Sequence, residues 1–364
     1  MATIFRTQAL IAPQQPRLLA APVEYNPQYQ EQYSNTLRLY FNQLQNFNQL
    51  LTTSTGGALL RFPNGAWYQD SENQTIGQIN KGIPICMSNA TSQNTVLLSD
   101  SVATFTGVKA GTTLTVTSWT GAPIALNMRV IGSGWEDAVF TGYIDDGITE
   151  GVPGNILHVT AVTSGTITNS MYITGLGITA GTQISTRGTG TGGVGTYYLS
   201  NVINQAVSAG TAINGYNRRI VSYGTGTGGN GTYTVSGAAG AIASASLSAR
   251  AKDRVDFGTA GYYNFQFSAQ VSKSSGGAAY IWIWPRINGA DMPDSNTKLA
   301  IQGTASEVVA AWNFVFPVET GDYFQLMMAS DSANVVLLDE AANAFSPAIP
   351  AFILTVTFVS AVFA

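Results

Sequence analysis

The sequence predicts a mainly β protein with one short helix near its N-terminus. Only 10% of the 364 residues are charged, and glycine occurs 39 times. This composition disfavours exposed helices and favours strands joined by tight turns. From residue 58 onward, apolar runs of strand length alternate with Gly, Pro, Asn, Asp or Ser, which indicates a sandwich or a barrel. A single segment with heptad spacing precedes them.

Residues 1–27 predict an extended arm that docks on a partner. Prolines recur through this segment and disfavour helix. The short apolar patches between the prolines favour a bound arm over a disordered one. The residues expected to dock are Leu10, Ile11, Pro13, Pro16, Leu18 and Leu19.

Residues 28–55 predict an amphipathic helix that self-associates. Its apolar residues recur at alternating steps of three and four, which is heptad spacing. An isolated helix of this length is marginal in water, and further copies of the chain would cover its apolar stripe. The alternative, in which the helix packs on its own domain, stays open. The trimerisation residues are Tyr29, Tyr33, Leu37, Tyr40, Leu44, Phe47 and Leu51.

Residues 103–249 are rich in glycine and threonine, and they repeat. The segment Gly188–Ser200 returns 36 residues later as Gly224–Ser236, and a weaker echo at an offset of 43 relates residues 114–132 to 157–175. Such repeats predict small β-units. The two GTGTGG loops lack the lysine and the following helix of a phosphate-binding loop, so we expect hairpin turns.

Composition and residue counts argue against several functions. The net charge is −4 and the 16 basic residues are dispersed, which argues against nucleic-acid binding. With one histidine a His-rich metal site is excluded, and a catalytic Cys–His pair would require Cys86 to meet His158 across domains. The uncharged run from Pro347 to Ala364 predicts a terminal strand, not a membrane span. We expect no enzyme, no catalytic residue, no metal and no cofactor.

Aromatic and guanidinium groups in the repeat region are the better signal for binding. Aromatic rings stack on sugar faces and supply contact area at low entropic cost. The candidate ligand-binding residues are Trp135, Tyr143, Tyr216, Arg218, Arg219 and Tyr223. Ordinary packing is the alternative for each. The acidic sets Glu136 with Asp137, Asp145 with Asp146 plus Glu150, and Asp291 with Asp294 are expected to be solvated loop carboxylates, with a calcium or sugar contact or hydrolysis as the alternatives.

Several segments carry a family resemblance: Gly261–Ala269, Trp284–Gly289, Glu319–Leu326 and Phe352–Phe358. They resemble the jelly-roll head shared by C1q and tumour necrosis factor, as it occurs in virion fibre proteins of tailed phages, cyanophages in particular. The resemblance implies a trimeric head formed by residues 58–102 and 250–364. Residues 103–249 would then be an insertion in that head; a linear string of domains is the alternative.

Together, these expectations predict that the protein is a homotrimeric tail fibre located in a virion. Its arm would bind other virion proteins, and its head would recognise a host-surface glycan or protein. One alternative is a capsid or baseplate decoration or adaptor protein that binds virion proteins only. A less favoured one is a tailspike that degrades polysaccharide.

Overall fold

A computed structural model confirms that the chain is mainly β, with 58% of residues in strands and one helix in the described part. The chain divides into two compact units, residues 1–62 and 63–364. The structure describes residues 16–18, 24–52, 63–69, 73–76, 80–93, 95–146, 153–237 and 240–360.

The first unit contains helix α1, Pro27–Thr52. Asn26 caps its N-terminus, because Asn26 Oδ1 accepts hydrogen bonds from the backbone amides of Gln28 (2.9 Å) and Tyr29 (3.2 Å). Pro27 occupies the first helical position, where its missing amide costs nothing and its fixed φ suits the helix. The capping signal therefore lies in the dipeptide Asn26–Pro27.

The second unit contains the strands. Within its described residues they are, in chain order, β1 Asn64–Gln69, β2 Gln74–Thr75, β3 Ile83–Pro84, β4 Ser88–Gln93, β5 Val96–Ala110, β6 Thr113–Gly121, β7 Arg129–Ile131, β8 Ala138–Asp145, β9 Gly154–Gly165, β10 Tyr172–Gly175, β11 Ile184–Arg187, β12 Gly195–Ile203, β13 Val207–Tyr216, β14 Ile220–Tyr223, β15 Gly231–Val235, β16 Ile242–Phe257, β17 Gly261–Lys273, β18 Ala279–Ile287, β19 Ala290–Asp291, β20 Thr297–Ile301, β21 Ser306–Val318, β22 Tyr323–Ser330, β23 Val335–Leu337 and β24 Phe352–Ser360.

The strands form three antiparallel sheets. Sheet I has the order β2-β23-β17-β24-β1-β4, and β21 pairs with the other edge of β17. Sheet II has the order β14-β15-β6-β5-β16-β22-β18-β19, with β20 on β18, β3 on β22 and β7 on β16. Sheet III has the order β10-β13-β8-β9-β12-β11.

Sheets I and II enclose an aromatic core. Along β17, Tyr263, Phe265 and Phe267 are buried while the residues between them face outward, which is the period-two pattern of a strand with one covered face. Phe265 of sheet I stacks on Phe324 of sheet II with ring centroids 4.5 Å apart. The two sheets therefore pack face to face.

Strands β5 and β16 extend beyond this sandwich as one long antiparallel pair. They contain 15 and 16 residues and are continuous through positions 103 and 249, the predicted limits of the insertion. Ala103 and Ala249 are direct cross-strand partners. The head and the repeat region consequently share a strand pair, and no linker separates them.

The repeat region beyond this pair consists of two modules with the same strand order. The outer module, residues 103–132 and 217–249, has the order β7-β16-β5-β6-β15-β14, and the inner module, residues 138–216, has the order β10-β13-β8-β9-β12-β11. Residues 176–183 join β10 to β11 in the inner module. At the equivalent place in the outer module, between β7 and β14, lies the entire inner module. The repeat is thus a nested duplication.

Candidate recognition site

The glycine-rich segments are hairpin connections, as the sequence predicts: residues 188–194 join the antiparallel strands β11 and β12. The Tyr197 hydroxyl donates to the carbonyl of Gly193 (2.7 Å) and accepts from the amide of Gly192 (3.0 Å). The corresponding distances around Tyr233 are 2.5 and 3.1 Å. The tyrosine hydroxyl thus occupies a glycine amide that a bound anion would need as a donor.

Asp137 holds together the two chain segments that enter and leave the inner module. Its Oδ2 accepts from the backbone amides of Asn217 (2.7 Å) and Arg218 (2.9 Å), and its Oδ1 accepts from Arg218 Nε (2.9 Å). The amide of Asp137 donates to the carbonyl of Gly215 (2.8 Å). Asp137, which we expected to be solvated, is instead a clasp at the base of the inner module.

A small open cleft lies beside this clasp. It has a volume of ≈ 200 Å³, and Thr166, Thr168, Met171 and Ser236 line it together with Arg218. Both the Arg218 and Asp137 side chains are largely buried, at 19% and 24% exposed. Because Asp137 already neutralises the guanidinium, the cleft offers hydroxyl groups rather than a free charge.

A second contact attaches the inner module to the head. The buried Tyr172 hydroxyl donates to Asp100 Oδ1 (3.1 Å), and Arg250 Nη1 lies 3.3 Å from Asp100 Oδ2. Lys252 Nζ lies 3.5 Å from Asp100 Oδ1. Burial, followed by the charge of Asp100, raises the pKa of Tyr172 well above its ordinary value, so this phenol stays a donor.

The six candidate ligand-binding residues do not form one site. Trp135 and Tyr216 are 0% and 4% exposed, so their ring faces serve the protein core and are not open to a ligand. Trp135 lies near the junction of the modules, and its buried Nε1 has no hydrogen-bond partner among the described residues. Periodicity alone could not separate these buried rings from exposed ones.

Tyr143 lies on the outer face of sheet III. Its ring stacks on His158 at 4.5 Å with an interplanar angle of 4°, and His158 Nε2 lies 3.0 Å from Asp145 Oδ1. Asp145, expected to be a solvated loop residue, is 4% exposed. The three side chains hold one another in place.

Arg219 and Tyr223 lie beside the head. Arg219 Nη1 donates to the carbonyl of Asn73 (3.2 Å). The Lys81 ammonium lies 3.5 Å from the centroid of the Tyr223 ring, and burial raises the pKa of Tyr223 to about 12. Both residues connect the outer module to the segment after β1 instead of projecting from the surface.

The helix stripe presents a different kind of surface. Within α1, Tyr29, Tyr33, Leu37, Tyr40 and Leu44 are partly exposed, and the rings of the first two stack at 6.0 Å. Leu39 and Phe41, beside the stripe, are 63% and 58% exposed. The side chains of Phe47 and Leu51 lie outside the described residues.

The docking arm falls mostly outside the described part of the chain. Leu10, Ile11, Pro13 and Leu19 are not described, whereas Pro16 is partly exposed and Leu18 is 46% exposed. Their docking role stays a prediction.

In the described residues, no group of three or more His, Cys, Asp and Glu side chains could hold a metal ion. No helix in the described part of the chain is long and apolar enough to cross a membrane. No protein-family model matches the chain, and no curated protein matches it.

Proposed function

We propose that the protein is a homotrimeric fibre of a phage virion, with an N-terminal docking arm, a trimerising helix and a jelly-roll head that recognises the host surface. The observation that carries the proposal is the strand order of the two facing sheets. Sheet I contains β1, β24, β17 and β21 in that order, and sheet II contains β5, β16, β22, β18 and β20.

Neighbours in these sheets are far apart in sequence, as expected for Greek-key connections in a jelly roll. The strands that carry the C1q and tumour-necrosis-factor resemblance, β17, β18, β22 and β24, all lie in these two sheets. Both facts support the family proposed from the sequence, with residues 103–249 as an insertion in its head.

The outer face of sheet I supports self-association. Apart from Glu307 at the start of β21, strands β17, β21 and β24 place no charge on this face. Its uncharged positions include Tyr262, Asn264, Gln266, Ser268, Val309, Ala311, Asn313, Val315, Ile353, Thr355 and Thr357. Val309 and Val315 are 56% and 57% exposed.

The edge of sheet I supports the same proposal. Strand β21 is 13 residues long and pairs only with β17 in the described residues. Trp312, within it, is 55% exposed. A long, apolar edge strand is an aggregation hazard unless something covers it. Further copies of the chain around a rotation axis would cover it, as they would cover the stripe of α1.

The mass of the full chain in solution tests the trimer. We expect three times 38.3 kDa at micromolar concentration by light scattering. Val315→Lys should weaken assembly, because it places three ammonium groups at one interface, whereas Val194→Lys on an exposed glycine turn should not. A monomeric wild-type chain would refute the homotrimer.

Two further measurements address the virion. Antibodies against the chain should label particles of the virus that encodes it, and unlabelled particles would contradict the virion assignment. Purified full-length trimer, added in excess, should reduce adsorption of the virus to its host. A decoration or adaptor protein would label particles but leave adsorption unchanged.

A further inference from the structure

The tight turn between β18 and β19 fixes an exposed carboxylate opposite a guanidinium. Asn288 and Gly289 form the turn with φ of 49° and 80°, the left-handed pair that a two-residue type I′ hairpin requires. The turn sets the register Arg286↔Asp291. Asp291, expected to be a solvated loop residue, is thus held on a strand.

Asp291 connects Arg286 to an indole ring. Its Oδ1 accepts from Trp284 Nε1 (2.8 Å) and from Arg286 Nε (2.8 Å), and Arg286 Nη2 lies 2.7 Å away. The hydrogen bond from Arg286 is the main cause that lowers the pKa of Asp291. The carboxylate is 54% exposed, and its Oδ2 has no partner among the described residues.

The ring of Trp284 is fixed at its other end by Gly82. A Cβ at Gly82 would come within 2.8 Å of two carbons of the six-membered ring. Only glycine at this position therefore leaves room for the indole to pack against the backbone. The ring remains partly exposed. An aromatic ring held in position by a hydrogen bond and by packing loses little entropy on binding a ligand.

Two more rings continue the same face of β18. Tyr280 and Trp282 lie four and two residues before Trp284 and therefore point to the same side of the strand. Their centroids are 6.0 Å apart, which is on the scale of successive pyranose rings in a polysaccharide. Lys298 Nζ lies 3.8 Å from the Tyr280 centroid and 5.2 Å from that of Trp282. We call Tyr280, Trp282, Trp284, Arg286, Asp291 and Lys298 the aromatic face.

We propose that the aromatic face binds a chain of neutral pyranose sugars. The rings supply flat apolar surface for the C–H face of a sugar. The free Asp291 oxygen and the Arg286 guanidinium supply an acceptor and donors for its hydroxyls. The ionised Asp291 beside Trp284 disfavours phosphate or another anion at that ring. The site lies on the head, away from the repeat region.

The assignment deepens the proposed host recognition and rests on it for its biological role. Titration with sugar nevertheless requires neither a virion nor a trimer. A monomeric chain that binds sugar would contradict only the proposed trimer. A trimeric chain that binds no sugar would contradict only the proposed sugar site.

Calorimetric titration of the full chain with linear hexasaccharides of glucose, mannose, galactose and N-acetylglucosamine tests the site. We expect at least one to bind with a dissociation constant of about 1 mM or lower. Trp284→Ala should weaken that binding about tenfold or more, while Phe345→Ala, which removes an aromatic ring 90% exposed elsewhere, should change it less than about twofold.

Asp291→Asn provides the second variant, because an exposed side chain can be changed without risk to the core. It should also weaken binding, and its thermal unfolding should match the wild type closely. No binding by any of the four sugars, or binding that persists unchanged in Trp284→Ala and Asp291→Asn, would overturn the proposal.

Discussion

The outer and inner modules share a strand order and the hydrogen bonds between a tyrosine hydroxyl and the glycine turn, but they differ in what covers their sheets. The inner module has a hydrophobic core of its own, in which Phe140, Leu157 and Ile213 are fully buried. The described residues of the outer module form no separate core, because Leu114 and Tyr233 belong to the same core as Phe265 and Phe324 of the head. One β-unit can therefore be a separate body or an extension of another domain.

The shared strand pair explains the difference. Because β5 and β16 serve both the head and the outer module, the side chains of the outer module continue the interior of the sandwich. The inner module is attached through two polar contacts, the Asp137 clasp and the Tyr172–Asp100 hydrogen bond, and through the single ring of Tyr216, which is buried in the core of the head and outer module. We expect the outer module to unfold with the head and the inner module to open by itself.

The largest effect should come from equivalent leucines in the two modules. Leu114 and Leu157 are both fully buried, and each is the cross-strand partner of a turn tyrosine. Alanine at either position should cost about 2–5 kcal/mol of local stability. Hydrogen exchange should show Leu114→Ala destabilising β17 and β24 of the head, and Leu157→Ala destabilising β8–β13 only.

Equal exchange in the head for both variants would contradict two separate cores. Thermal unfolding gives an independent check, since Leu157→Ala should lower an inner-module transition while the main transition stays in place.

A buried carboxylate should make the stability of the head and outer module depend on pH. Asp253 on β16 is fully buried; its Oδ1 accepts from the amide of Ser101 (3.1 Å) and its Oδ2 from Gln325 Nε2 (2.9 Å). Burial raises its pKa from 3.8 to about 6. The folded state therefore binds this proton more tightly, so its contribution to stability is complete below about pH 4 and falls as pH rises to about 6.

Asp253→Asn should remove this loss. Relative to the wild type, the free energy of unfolding of the variant should rise by roughly 2–3 kcal/mol between pH 4 and pH 7, measured by urea unfolding. The exposed Glu319→Gln serves as control and should show no such rise. A constant difference between Asp253→Asn and the wild type across this range would show that Asp253 keeps an ordinary pKa in the folded protein.

The strands and the helix could be predicted from the sequence because their signals are local. Alternation in Tyr262–Val271 anticipates β17, and heptad spacing anticipates α1, whereas the Asn26–Pro27 cap was recognised only in the structure. The repeat offsets of 36 and 43 correctly identify equivalent residues. Their difference, however, did not show that one module lies inside the other, because nesting depends on which strands pair across about a hundred residues.

The candidate site was much harder to predict. Trp135 and Trp284 are both tryptophans near glycine, yet one is fully buried and the other partly exposed, because exposure depends on which sheet face is covered. The alternation Tyr280, Trp282, Trp284 was a visible signal for a row of rings on one face. The hydrogen bond from Trp284 to Asp291 was not, since it depends on the register of the hairpin.

The smallest effect should come from the turn tyrosines, and it should be equal in the two modules. Phenylalanine at Tyr197 or Tyr233 leaves one glycine amide and one glycine carbonyl without their partner, which should cost about 1–2 kcal/mol. Amide exchange should accelerate in residues 189–196 for the first variant and in 225–232 for the second. Tyr198→Phe, at the neighbouring position with a ring 43% exposed, should leave exchange unchanged.

A much larger effect of Tyr233→Phe would mean that the outer turn also stabilises the head through the core it shares with β6. The two modules would then differ in their turns as well as in their cores.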